Sequence, residues 1–157
     1  MATTNLTAYL PKPLTINVGD WTLVSPVPSV EVGKTLTAYQ AALATATQRT
    51  IDSGNADKAT EYTVEALNEA GLDPDLNLTG LLLDKNTVDA AVKAGIPAVV
   101  LDMAVQYAFT YWIMGAEAAE ALVKAEYGVD EKSNTSAPKG RKRSKSGKST
   151  GSGKKTQ

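Results

Sequence analysis

The side chains in this sequence that could do chemistry are few, and those that fall close together are carboxylates. Asp73 and Asp75 flank Pro74, and Asp52 and Asp57 bracket a break in a helical pattern. Paired acids can share the acid and base roles of a hydrolysis or hold a hard cation. No companion base stands near either pair, and turn and capping chemistry accounts for both. The 157 residues include no His and no Cys. Their absence excludes the Ser-His-Asp triad, imidazole acid–base work, thiolate nucleophiles, disulfides and His- or Cys-ligated metal. No catalytic, cofactor-binding or metal-binding residue is assigned, and the expectation is a protein that is not an enzyme.

Two short stretches invite a phosphate-loop reading and fail it. Gly33-Lys34-Thr35 needs a glycine where Pro28 stands, and Gly147-Lys148-Ser149 needs one where Lys142 stands. Neither has the strand and Gly-rich loop whose backbone N–H groups cradle phosphates. Tyr107, Phe109, Tyr111 and Trp112 could stack bases, but their neighbours are Met, Val and Ala instead of Lys or Arg. A core or a subunit interface is the expected place for them, with Trp112, Ile113 and Met114 a candidate exposed patch at a helix end.

Charge is divided sharply along the chain. Residues 1–131 carry 7 basic and 17 acidic residues, a net −10, whereas residues 132–157 carry 9 basic residues and no acid. Ala137 is the only aliphatic residue of that tail, which has no aromatic. Such a composition buries too little to offset the entropy of folding, so the tail is expected to be disordered. Lys139, Arg141, Lys142, Arg143 and Lys145 are its candidate contacts to polyanions, of a nonspecific electrostatic kind. The opening MATTNLTAYLPKP has neither a basic nor an apolar signal region, so no signal peptide is expected.

The elements that must position these residues are mainly helical. Leu14, Ile16 and Val18 alternate with Thr15 and Asn17, Gly19-Asp20 suits a two-residue turn, and Trp21, Leu23 and Val24 begin a return strand. That predicts one hairpin over about 14–25, ended by Pro26 and Pro28. From Ser29, a candidate N-cap, Val32, Leu36, Tyr39, Leu43 and Ala46 fall at helical spacing on one face. A second helix carries Ala59, Tyr62, Ala66, Leu67 and Ala70 on one side. The predicted helices span about 29–50, 57–70, 85–95, 97–114 and 116–127, with a short apolar run before the third. The fold class is mainly α: a small helical domain over 1–131 with an N-terminal β-hairpin, then a disordered basic tail over 132–157.

Residues 96–115 approach the length of a membrane span, roughly 28 Å at 1.5 Å per residue. Asp102 and Gln106, four apart on one face, argue instead for the central helix of a soluble core.

The order of these parts resembles a known family. A Pro-flanked strand pair leads into LVSPVPSVEVGKTL, then helices, then VDAAVKAGIPAVVLDMAVQYAFTYWIMGAEAAEALVKAEYG, closed by a low-complexity Lys/Ser tail. Over roughly residues 14–127 this looks like the tail assembly chaperones of long-tailed actinobacteriophages, with Gly95-Ile96-Pro97 and residues 115–121 the more specific matches. The resemblance implies a non-enzymatic protein that binds the long helical tape measure protein and keeps it soluble while tail tube subunits polymerise around it. It also implies a place in the host cytoplasm and absence from the mature virion. In such families a programmed frameshift near the end of the short product adds a second domain, and Gly147-Lys148 or Gly153-Lys154-Lys155 would mark the slip.

A helical domain with apolar grooves can cover the apolar stripe of a client helix, and many weak copies on one long client would act through effective concentration. Val32, Leu36, Tyr39, Leu43, Trp112 and Met114 are the candidate client or subunit contacts, each with a core role as its alternative. A homo-oligomer is compatible with the same faces. Two other readings stand beside this one: a structural tail or connector protein of the virion, and a nonspecific nucleic-acid accessory protein acting through the tail.

Overall fold

The computed structural model describes residues 2–128. The basic tail, including Lys139, Arg141, Lys142, Arg143 and Lys145, lies outside the described residues. Strand β1 (Leu14–Val18) pairs antiparallel with β2 (Trp21–Ser25). Gly19, at φ +59°, supplies the left-handed residue that their two-residue turn requires. Register places Leu14 opposite Ser25, Ile16 opposite Leu23 and Val18 opposite Trp21. These residues share the inward face, where Ile16, Leu23 and Ser25 are buried. On the other face Thr22 Oγ1 donates to Asn17 Oδ1 at 3.0 Å. The alternation in the sequence is therefore the alternation of the two faces.

Six helices follow among the described residues: α1 (Val30–Ser53), α2 (Ala59–Glu69), α3 (Leu78–Leu82), α4 (Lys85–Lys93), α5 (Ala98–Met114) and α6 (Ala116–Tyr127). The chain is thus mainly helical with an N-terminal hairpin, as its periodicity predicts. Ser29 caps α1, its side chain accepting from the Val32 N–H at 3.2 Å. The helix runs past residue 50 because Asp52 does not cap; it accepts from Gln48 Nε2 one turn back at 2.7 Å. Asn55, not Asp57, is the capping side chain at the next break, where a 3₁₀ turn over Ala56–Lys58 leads into α2. Ala70, expected on the inward side of α2, falls beyond its last turn and is exposed. The apolar run before α4 forms a helix of its own, α3, capped by Asn77 through the Gly80 N–H at 3.0 Å. Asp73 Oδ1 accepts from the Asp75 N–H at 2.9 Å, which makes this acid pair a turn.

Two apolar clusters hold the helices. The larger joins the inward face of the hairpin to Leu36 of α1, Leu82 and Leu83, Ala91 of α4, and Ala104, Val105 and Ala108 of α5. The smaller is built where α1 meets α2, from Ala42, Ala46, Ala66 and Leu67 with Tyr39, Tyr62 and Leu72 against them. At roughly 36 Å, α1 is long enough to serve both. Alanines at the α1–α2 contact let the two backbones approach closely, and Arg49 bridges to Glu69 at 2.7 Å on the solvent side. Between α5 and α6, Gly115 stands at φ +98°, ψ 171°, a conformation open essentially to glycine alone, and this folds α6 back onto α5.

One strand edge is closed and the other is not. The Val24 N–H donates to Thr87 Oγ1 at 3.2 Å, and the Val24 carbonyl accepts from the Asp84 N–H at 2.7 Å. The start of α4 therefore seals the outer edge of β2. Thr15, opposite Val24, must by the same alternation aim its N–H and carbonyl away from β2, as must Asn17. Neither receives a backbone hydrogen bond from another element among the described residues.

Candidate functional site

Two surfaces stand out, at different levels of α5. The first is a groove of about 400 Å³ along the open edge of β1. Its walls are residues 15–18 of β1, Met103, Ala104 and Tyr107 of α5, and Glu120, Val123 and Lys124 of α6. Tyr107 is held above its ordinary pKa, first by burial and then by the nearby Glu120 carboxylate, so its phenol stays protonated. The groove is mostly apolar, with a strand edge for one wall and one acid and one base among its side chains. It joins an apolar wall to an open strand edge, and Thr15, Asn17, Tyr107, Glu120 and Lys124 carry its polar side-chain groups. Among the described residues no group of three or more acidic side chains converges as a metal site would require.

The second surface lies at the C-terminal end of α5. Trp112 Nε1 donates to Ser25 Oγ at 2.8 Å, and the fully buried Ser25 donates in turn to the Leu82 carbonyl. This chain of bonds ties β2, α3 and α5 together and satisfies a hydroxyl that would otherwise be costly to bury. It also brings the end of α5 to the connection between β2 and α1. Val27 on that connection, Val30 at the start of α1 and Met114 on α5 are all exposed, Val30 at 76% and Met114 at 62%. The Trp112–Ser25 bond ties together the segments that carry these exposed side chains at the C-terminal end of α5. About seven residues, or roughly 10 Å along α5, separate that end from the groove.

The six contact residues predicted from sequence divide between these surfaces and the interior. Met114 is exposed, and Trp112 is half-buried with its indole N–H turned inward. Val32 is half-buried against the larger cluster and Tyr39 against the smaller, where its ring meets Phe109 edge-on at 5.7 Å. Leu43 is also half-buried. Leu36 is 1% exposed, which corrects its reading as a contact: it is core, because the face of α1 it occupies is covered by the hairpin and α5. Spacing identifies a shared face but not what covers it. The groove residues escaped sequence reasoning, although the alternation that placed Thr15 and Asn17 on an outer face was a usable signal.

Together these features define a small helical protein that clamps a two-stranded hairpin, with one strand edge and one helix end left open among the described residues. The chain belongs to the family described as a domain of unknown function, DUF7426, whose model matches residues 4–156. No curated protein and no solved structure matches it. No described helix is long and apolar enough to cross a membrane.

Proposed function

We propose that this protein is a tail assembly chaperone of a long-tailed phage, which binds the tape measure protein and keeps it soluble in the host cytoplasm while the tail tube assembles. The observation that carries the reading is the exposure of the aliphatic side chains of Val27, Val30 and Met114 on an acidic helical domain. An amphipathic client helix offers an apolar stripe at i, i+3, i+4 and i+7, and a few exposed aliphatic side chains can cover a short stretch of it. Each such contact is weak. Many copies along one long client would hold it through effective concentration, and the body's net charge of −10 over residues 1–131 would keep the loaded assembly apart from its neighbours. Such a protein has no place in the finished particle.

The test is co-expression of the full chain with the tape measure protein of the same virus, followed by measurement of how much client stays in solution. The wild-type chain is expected to hold it, and the double variant Val30→Ser/Met114→Ser to lose most of that capacity with an unchanged melting temperature. Retention of the client by this variant at the wild-type level would remove the helix-end surface from the reading. A wild-type chain that leaves the client insoluble would remove the reading itself. Abundance in purified particles would then favour a structural tail or connector protein. Salt-sensitive polyanion binding lost on deletion of residues 132–157 would favour a nucleic-acid accessory protein.

A further inference from the structure

The segment that precedes the hairpin carries three large apolar side chains that none of the described residues covers. Leu6, Tyr9 and Leu10 are all exposed, Tyr9 at 81%, and none joins either apolar cluster. A 3₁₀ turn over Thr7–Tyr9 spaces Leu6 and Tyr9 on one side, and Asn5 fixes its start by accepting from the Thr7 N–H at 2.9 Å. These side chains are therefore presented by an ordered turn. We propose that this arm, residues 2–13, docks into the β1–α5–α6 groove of a second copy of the chain, and that the exchange is reciprocal.

Volume, exposure, charge and size support the pairing. A cavity of roughly 150 Å³ holds a benzene ring, so the groove of about 400 Å³ suits one phenol ring and two leucine side chains. The unpaired amides and carbonyls of Thr15 and Asn17 provide partners for the polar backbone of the arm. The arm does not occupy its own groove, since Leu6, Tyr9 and Leu10 are exposed and none of them lines it. Leu10 and Lys12 each precede a proline, which disfavours the helical region, and Leu10 stands at φ −66°, ψ 130°. Residues 10–13 thus favour extended backbone and belong to no helix or strand. The arm carries Lys12 and no acid, and the groove offers Glu120 as well as Lys124 on a body whose described residues are acidic overall. With twelve arm residues and ten groove residues, each copy would contribute 22 residues. That lies within the roughly 20–30 per side of a stable interface of standard size. Reciprocal exchange is isologous and closes at a dimer. The client plays no part in this inference.

The chain has no Cys, so single cysteines can be placed at will. Sedimentation of the full chain is expected to show a concentration-dependent dimer. The variant Leu6→Ser/Tyr9→Ser, altered only at exposed positions, should raise the dimer dissociation constant by about tenfold or more. Thr15→Pro should do the same while preserving the hairpin, because the amide it removes faces away from β2. In a mixture of an Ala8→Cys chain with a larger, tagged Val123→Cys chain, a bismaleimide should link the two chains to each other. A monomer at several hundred micromolar would overturn the proposal, as would a dimer indifferent to all three changes. Crosslinking confined to one chain that carries both cysteines would equally overturn it and assign the groove to the chain's own arm.

Discussion

Replacing Ser25 with Ala tests the buried bond chain that joins strand to helix. The side chain is fully buried, and its one hydroxyl serves two partners, the Leu82 carbonyl as donor and Trp112 Nε1 as acceptor. Alanine fits the same space, so no appreciable cavity term arises. The cost comes from the groups left behind. An orphaned buried acceptor costs about 1–3 kcal/mol, and the half-buried indole N–H, partly reachable by water, costs about 1 kcal/mol. Ser25→Ala should therefore destabilise by about 2–4 kcal/mol, or roughly 8–15 °C in melting temperature for a domain of this size. Trp112→Phe removes the donor itself, and in the Ser25→Ala background it removes an orphan. The double variant should accordingly fall short of the summed single costs by about 1 kcal/mol, the signature of a coupled pair. Urea unfolding of the four proteins, followed by circular dichroism, measures each term. A Ser25→Ala cost under about 0.5 kcal/mol, or strict additivity, would refute the claim that this bond braces the end of α5.

Three further outcomes are expected. Leu36→Ala should cost about 2–5 kcal/mol, because the cavity it leaves in the larger cluster cannot fully collapse, whereas Leu43→Ala on the same helix should cost less by urea melts. Gly115→Ala should cost about 1–3 kcal/mol through backbone strain alone, since a Cβ there meets nothing within 4 Å, and calorimetry should show it. The Arg49 hydrogen bond lowers the pKa of the Glu69 carboxyl, so its contribution is present above the unfolded carboxylate value and is lost as pH falls through the folded one. The urea midpoint of the wild type should consequently fall more steeply between pH 5 and pH 3 than that of Glu69→Gln. The difference should be small, because the pair is exposed.

Most elements were legible along the chain because their causes are local. Period-two alternation ending at Gly19-Asp20 specifies the hairpin, and Ser29 followed by apolar residues at spacings of four and three specifies the start and face of α1. The end of α1 was less legible. Asp52 has the chemistry of a cap and of a surface partner, and only the reach of Gln48 decides between them. The helix α3 was missed for a related reason, since a short apolar run fits a strand or a helix until Asn77 caps it.

What the sequence determined by itself was the mainly helical class, the hairpin, and the exclusion of His and Cys chemistry, each of which depends on residue type or on neighbours a few positions away. Tertiary structure alone decided which members of a shared face are core and which are open. Leu36 and Met114 are both large and apolar, and they part company because the hairpin and α5 cover one while none of the described residues covers the other. It likewise decided that Ser25 belongs inside, through a partner 87 positions away, and that β1 keeps an open edge while Thr87 and Asp84 seal β2. Periodicity reports the direction in which a side chain points. Only the packing of distant segments determines what it meets there.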